Sequence, residues 1–256
     1  MTPEQLLARD EPPPYEIFNT EGAAPILLIC DHASRRVPRR LRDLGLDERE
    51  LSRHIGWDIG AADVTRHMAL QLKAPALLAG YSRLVVDCNR HLHDPTLMRP
   101  ASDGTQITGN ATLSPADRQA RLDTLYRPYH QAITERLDAF AARDVTPTLL
   151  SIHSCTPEMN GQFRPWHIGI CWETDRRIAG PVLETLGCAP DVVVGDNQPY
   201  NLDLQEDYSV PVHAIRRGLP HLQVEFRQDL IATPAGARRW AEVLLAALPL
   251  TVTQPS

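Results

Sequence analysis

The chain has no C-x-x-C pair, no H-E-x-x-H helix, no G-x-S-x-G turn, no internal repeat and no apolar run long enough to span a bilayer. Each absence removes a class. A serine hydrolase built on a nucleophile elbow is disfavoured, which leaves Ser34 and Ser154 as weak nucleophile candidates. A metalloprotease with both imidazoles on one helix is excluded. The five cysteines (Cys30, Cys88, Cys155, Cys171 and Cys188) are odd in number and mostly embedded in apolar runs, so they read as reduced thiols of a cytoplasmic protein. The N-terminal stretch has no basic patch followed by an apolar core and is not read as a signal peptide. Excess positive charge is lacking as well. The net charge is −6 and the arginines are dispersed among acids, which argues against nucleic acid as a partner.

What the chain does have is ordinary globular composition: 43% apolar and 23% charged residues over 256 positions, enough for one large domain. Residues 10–22 are rich in Pro and acid and read as an extended lead-in, so a single domain is expected over 24–256. Strands and helices then alternate. Buried strands are expected at 24–30 ("APILLIC"), 75–81, 83–89 ("RLVVDCN"), 146–154 ("TPTLLSIHS"), 167–172, 192–195 and 222–228 ("LQVEFRQ"). Helices are expected at 58–74, with Ile59, Ala62, Ala69, Leu70 and Leu72 inward, from Ser114-Pro115 onward, at 176–186, and from Thr233-Pro234 to about Leu248. A polar loop fills 91–113, and a second, 196–209, is placed to cover a pocket. The pattern predicts an α/β fold with a mixed, largely parallel central sheet, in which ligands bind beyond the carboxyl ends of the strands.

The strand tips therefore hold the candidates. They carry Asp31-His32, then Asp87, Asn89 and Arg90, then His153-Ser154, and Glu225 between Val224 and Phe226; Asp58 opens a helix. One such histidine is most simply a satisfied core residue. Two at separate tips, with acids at others, fit a metal site better. Zinc binds imidazole and carboxylate, keeps a position open for water, and lowers the pKa of that water to ~7. A neighbouring carboxylate can then move the proton. Arginine offers a fork matched to a carboxylate plane, so arginines near the site suggest a small anionic substrate. The plainer alternative for Arg83 and Arg90 is a salt bridge with Asp87. Tyr129 reads as core, His130 as a partner behind a ligand, and His213 as either structural or near the site.

"ICDHAS", "HIGWDIGA", "YSRLVVDCNR", "RPYH", "SIHS" and "QVEFRQDL" together resemble the N-formylglutamate amidohydrolase family, over about Pro25 to Leu230. That family is similar to the zinc carboxypeptidases, so the resemblance implies a three-layer α/β/α, phosphorylase/hydrolase-like fold. It implies His32, Asp58 and His153 as ligands of Zn2+ or another divalent metal, with Asp31 the alternative to Asp58. Carboxypeptidases place a Glu three residues after the first His, where this chain has Arg35. It further implies Glu225 as general base, and Arg83, Asn89 and Arg90 as substrate-carboxylate ligands. The implied reaction is hydrolysis of the formamide of N-formyl-L-glutamate. "DHAS" replaces the "PHSG" of the histidine-degradation branch, which places the chain in a divergent group. Two alternatives remain open: a carboxypeptidase or aspartoacylase-like deacylase on the same fold, and a non-catalytic carboxylate-binding domain.

Overall fold

The computed structural model describes residues 6–249. Seven strands form the central sheet: β1 (Tyr15–Phe18), β2 (Ile26–Cys30), β3 (Ala76–Ala79), β4 (Thr148–Cys155), β5 (Ile168–Cys171), β6 (Val194–Asp196) and β7 (His221–Arg227). Their order across the sheet is β1-β3-β2-β4-β7-β5-β6. The run β3-β2-β4-β7 is parallel, β1 is antiparallel at one edge, and β5 with β6 runs antiparallel to β7 at the other. Tyr15–Phe18 lies within the segment read as a lead-in; it adds the edge strand, paired Tyr15 to Ala79 through Phe18 to Ala76.

Alternation along β2 explains why its apolar run is unbroken. Ile26, Leu28 and Cys30 face a core shared with α1 (Ala61–Gln71) and, farther along, the closing helix. Leu27 and Ile29 face the opposite core. A strand buried on both faces needs no polar positions. Three longer helices follow α1 among the described residues: α2 (Pro115–Arg121), α3 (Arg127–Ala141) and α4 (Ala179–Gly187), before the closing α5 (Pro234–Ala247). α1, α4 and α5 cover one face, and α3 covers the other through Tyr129, Ile133 and Leu137. Ser114 and Thr233 cap α2 and α5 by accepting the N–H of Asp117 and Gly236, as their positions before Pro suggest. Among the described residues, no helix is long and apolar enough to cross a membrane.

The sheet differs from expectation at 83–89. "RLVVDCN" forms turns, not a strand. Leu84, Val85 and Val86 are buried, but in a separate core beneath the loops, with Leu44, Ile55, Leu97, Ile107 and Leu122. A short apolar run reports burial and not the element that supplies it. Leu70 is 56% exposed, because α1 begins at Ala61 and turns Val64, Thr65 and Met68 inward instead. The long helix is interrupted by a wide π turn, Leu122–Tyr126, just before Pro128, a residue that lacks an N–H and clashes with the preceding turn. The loop at 91–113 contains a small hairpin (Ala101–Ser102 with Thr105–Gln106) and one helical turn, Thr108–Ala111.

Two buried polar clusters hold these loops. Asn110 Nδ2 donates to the carbonyls of Leu84 at 2.8 Å and Arg99 at 2.9 Å, and its Oδ1 accepts from Arg121 Nη1 at 2.6 Å. Arg121, almost fully buried, also donates to the Val85 carbonyl at 3.0 Å. The second cluster is a stacked pair, His130 on α3 and His213 on the short helix Ser209–His213, with Nδ1 of the first 3.0 Å from Nε2 of the second.

Asn110→Ala removes three buried hydrogen bonds and leaves a guanidinium and two carbonyls short of partners. It is expected to destabilise the fold by about 2–4 kcal/mol, read from urea unfolding midpoints. The histidine pair makes a pH prediction. Burial lowers the His130 pKa to about 4 and the His213 pKa to about 3, whereas the unfolded chain titrates near 6.5. Below pH 6.5 the unfolded state thus binds more protons, and stability, complete above that pH, falls as pH drops. Between pH 6.5 and 5 each imidazole contributes a slope worth about 2 kcal/mol. Unfolding free energies of His213→Gln should fall less steeply across that window than those of the wild type.

Candidate metal centre and active site

β2 and β4 are neighbours and parallel, so their carboxyl ends lie side by side. His32 follows β2 by two residues and His153 lies near the end of β4; their ring centroids are 5.1 Å apart. Asp58, just before α1, reaches between them. Its backbone N–H donates to the His32 carbonyl at 2.9 Å, which ties the start of the helix to the strand tip. One Asp58 oxygen lies 2.9 Å from His153 Nδ1, 3.3 Å from His32 Nδ1 and 3.2 Å from the Ser154 backbone N–H. One donor atom from each of His32, Asp58 and His153 falls within 4.8 Å of the others, and all three residues are buried.

The donor set fits a divalent transition metal: two imidazoles and one carboxylate, aimed at one point. The far nitrogens support the same reading. His32 Nε2 lies 2.7 Å from Asp87 Oδ1, and His153 Nε2 lies 3.0 Å from Ser151 Oγ and 3.5 Å from Asp31 Oδ2. Such outer partners fix the orientation and tautomer of metal-binding histidines. Asp31 therefore stands behind His153, where Tyr129 and Ser209 donate to its Oδ1 at 2.7 and 2.9 Å. Facing acids raise the pKa of both histidines although burial alone would lower it, and the histidines in turn hold Asp31 and Asp58 low.

Glu225 reaches the same place by register. On β7 it is the direct partner of His153 on β4 and of Gly169 on β5. Leu222, Val224 and Phe226 point into the apolar core, so the alternate residues, Gln223 and Glu225 among them, face the opposite side. There they line a cavity of about 550 Å³ together with His32, Asp58 and His153. Gly169 is required beside them. A Cβ there would come within 2.2 Å of the Gln198 carbonyl, so the bare strand lets the 197–200 segment lie against the sheet. Glu225 makes no hydrogen bond among the described residues, and its Oε2 is fully buried. Burial first, with help from Asp58 and Asp207 against the opposing pull of His153, raises its pKa to about 7.

The three predicted carboxylate ligands also line the cavity, each already engaged. Arg83 donates to Asp87 Oδ2 from Nε and Nη2 at 3.1 and 2.8 Å and to Asp58 Oδ1 at 3.4 Å, which is the salt-bridge alternative. Arg90 donates to the Asn89 carbonyl at 2.9 Å and to Asp207 Oδ1 at 3.4 Å. Asn89 differs most from expectation. Its Nδ2 donates to Asp207 Oδ1 at 2.9 Å, and its Oδ1 accepts the N–H groups of Tyr208 and Ser209, both at 2.9 Å. It fixes the 203–209 loop, which does border the cavity through Asp203, Glu206 and Asp207.

Other candidates fall away. His213 stacks on His130 and does not line the cavity. Ser154 Oγ donates to the Ile59 carbonyl, and Ser34 Oγ accepts the Arg36 N–H, so neither has a histidine base. Cys155 borders the cavity, but burial and Glu225 push its thiol pKa up, which keeps it protonated. Sequence reasoning missed Gln223 and Arg99 on the cavity wall. The alternation in "HLQVEFR" signals the first; no local pattern signals the second.

The sequence profile of the N-formylglutamate amidohydrolase family matches residues 24–232. Over 144 residues, 52% of this chain and 53% of the relative, the sequence is 28% identical to N-formylglutamate deformylase of Pseudomonas putida. The match thus spans about half the length of that curated relative. The solved structure of gene product Atu2144 from Agrobacterium tumefaciens aligns with a TM-score of 0.91 at 32% identity, covering 95% of this chain and 98% of that one. N-formylglutamate amidohydrolase from Ralstonia eutropha JMP134 aligns at 0.53 and 21% identity, covering 91% and 98%, a likeness of fold. A profile match across most of the chain, over the same span that carries both histidines, Asp58 and Glu225, shows that this chain belongs to the N-formylglutamate amidohydrolase family.

Proposed function

We propose that the protein is a metal-dependent amidohydrolase of the cytoplasm. It hydrolyses the formamide bond of an N-formyl amino acid with an acidic side chain, N-formyl-L-glutamate above all, to formate and the free amino acid. Family membership supports the reaction class. The observation that carries the rest is convergence: His32, Asp58 and His153, from three remote segments, share one cavity wall with an unpartnered Glu225.

A divalent ion such as Zn2+ held by His32, Asp58 and His153 would supply Lewis acidity to the formyl oxygen and lower the pKa of a water nearby. The chain does the rest. Glu225, whose pKa of about 7 lets it both accept and return a proton near neutrality, takes the proton of the attacking water. It then delivers that proton to the amide nitrogen as the C–N bond breaks, so the Glu225 carboxylate is restored, and the acid proton left on the formyl product passes to the free amine to give formate and an ammonium group. Arg83 holds Asp58 and Asp87 in place, and Arg83 and Arg90 offer guanidinium groups on the cavity wall to an anionic substrate. Asn89 acts through the 207–209 segment that it fixes.

Purified wild type is expected to retain about one equivalent of divalent metal, and His32→Ala to lose both metal and deformylase activity. Full turnover after exhaustive chelation would remove the metal from the reaction. Glu225→Gln should separate the roles: metal content unchanged, kcat lower by about 10²-fold or more. Equal loss of metal in that variant would make Glu225 a structural partner of the site.

A further inference from the structure

Three arginines line the cavity, and they are not alike. Arg83 is paired with Asp87 and Asp58, and Arg90 with Asp207, Asp94 and Glu206. The Arg99 guanidinium has no acid, carbonyl or ring partner among the described residues. Its backbone is held firmly all the same. The Arg99 carbonyl accepts Asn110 Nδ2 at 2.9 Å, the Leu97 carbonyl accepts the Asp87 N–H at 2.9 Å, and the Pro100 carbonyl accepts the Ile107 N–H at 2.8 Å. Leu97 and Met98, just before it, are buried. The root of the side chain is rigid and its charged end is free, which is how a recognition group keeps its ordering cost low.

That free end has no ion-pair partner of its own among the described residues. Burial, together with repulsion from Arg83 and Arg90, lowers the Arg99 pKa, yet a guanidinium stays charged. Asp87 and Asp94 attract it without pairing with it, each being paired with another arginine, and an anion from outside would meet it directly. Position narrows which anion. Arg99 lines the cavity from the 91–113 loop, as do Ser102 and Asp103, whereas the metal-ligand group and Glu225 come from the strands and the start of α1. Arg99 thus belongs to a different segment of the wall from the groups around the reacting centre. In an N-formyl amino acid with an acidic side chain, the α-carboxylate lies close to the scissile amide and the side-chain carboxylate reaches farther.

We propose that Arg99 is the specificity residue of the cavity and receives the side-chain carboxylate of the substrate. The assignment rests on the deformylase reading above. The planar fork of the guanidinium matches a carboxylate in two parallel hydrogen bonds. A neutral amide in the same position offers one acceptor and sets a donor against a donor, so it is rejected.

The test compares N-formylglutamate with N-formylglutamine in wild type, Arg99→Gln and Arg99→Lys. Wild type should prefer the acid by about 10²-fold in kcat/KM, and Arg99→Gln should lose that preference through KM for the acid alone, with kcat and the glutamine analogue changed by no more than about threefold. Arg99→Lys, which keeps the charge without the fork, should fall between the two and covers the case of a poorly folding glutamine variant. A preference retained in Arg99→Gln, or an equal loss on both compounds, overturns the assignment. Calorimetric binding of glutarate against its monoamide to the same proteins gives a readout without turnover. If wild type hydrolyses neither formyl compound, the deformylase reading fails while the calorimetry still decides Arg99. Tighter glutarate binding that depends on Arg99 supports its role, and binding indifferent to the substitution overturns it.

Discussion

One oxygen of Asp58 lies within 3.3 Å of both imidazoles and within hydrogen-bonding distance of the Ser154 N–H, while the other faces Arg83. Through that carboxylate the tips of β2 and β4, the start of α1 and the 82–90 turns become one unit. A carboxylate in so dry a place is costly unless compensated. Here the compensating groups come from three segments, the tip of β2, the end of β4 and the 82–90 turns, so forming the site and closing the fold are the same event. The convergence also explains why the site faces one way only. Asp31, Asp87 and Ser151 occupy the far sides of the histidines, and the near sides are left for whatever enters the cavity.

The layering of charge around this point follows a rule. Acids stand behind the imidazoles, Asp87 behind His32 and Asp31 behind His153, and donors stand behind those acids, Arg83 behind Asp87 and the Tyr129 and Ser209 hydroxyls behind Asp31. Arg83 illustrates it. Burial would lower its pKa, yet Asp87 and Asp58 raise it, so the guanidinium is fixed as a partner of the site. Arg90 and Asn89 do for the 203–209 loop what Arg83 does for Asp58 and Asp87: they anchor it by hydrogen bonds to acids and backbone. A wall held by charged hydrogen bonds keeps its shape while remaining polar toward the substrate.

Much of this was legible in the chain. The apolar runs ending in Asp31-His32 and His153-Ser154 marked strands buried on both faces, and the parallel-sheet rule brought their tips together. Asp58 and Glu225 followed from the family resemblance, and Asp31 remained an alternative because adjacency to a histidine says nothing about which side of the ring an acid occupies. The turns at 83–89 were misread as a strand, since Leu84, Val85 and Val86 satisfy a core beneath the loops as well as a sheet would. The family resemblance implies Asn89 as a substrate ligand, and its anchoring of the 207–209 segment has no local signal because those partners are about 120 residues away in the chain. Arg99 could not be read at all. Its distinguishing property is a guanidinium without an ion-pair or hydrogen-bond partner among the described residues, and that is a property of the space around it.

The central position of β7 shows how an apolar sheet accommodates such chemistry. A strand flanked by β4 and β5 is buried along its whole length, and a carboxyl group there is normally excluded. The period of two resolves the conflict. Leu222, Val224 and Phe226 supply the core with a full apolar face, and the opposite face is free to carry Gln223 and Glu225 provided that no helix covers it. At β5 the same need appears as Gly169, which lets a loop, and not a bulky side chain, close the space beside Glu225. The raised pKa of Glu225 is then a consequence of the architecture. An acid on a central strand is dry enough to hold its proton near neutrality, and the open cavity beside it is what allows that proton to be exchanged.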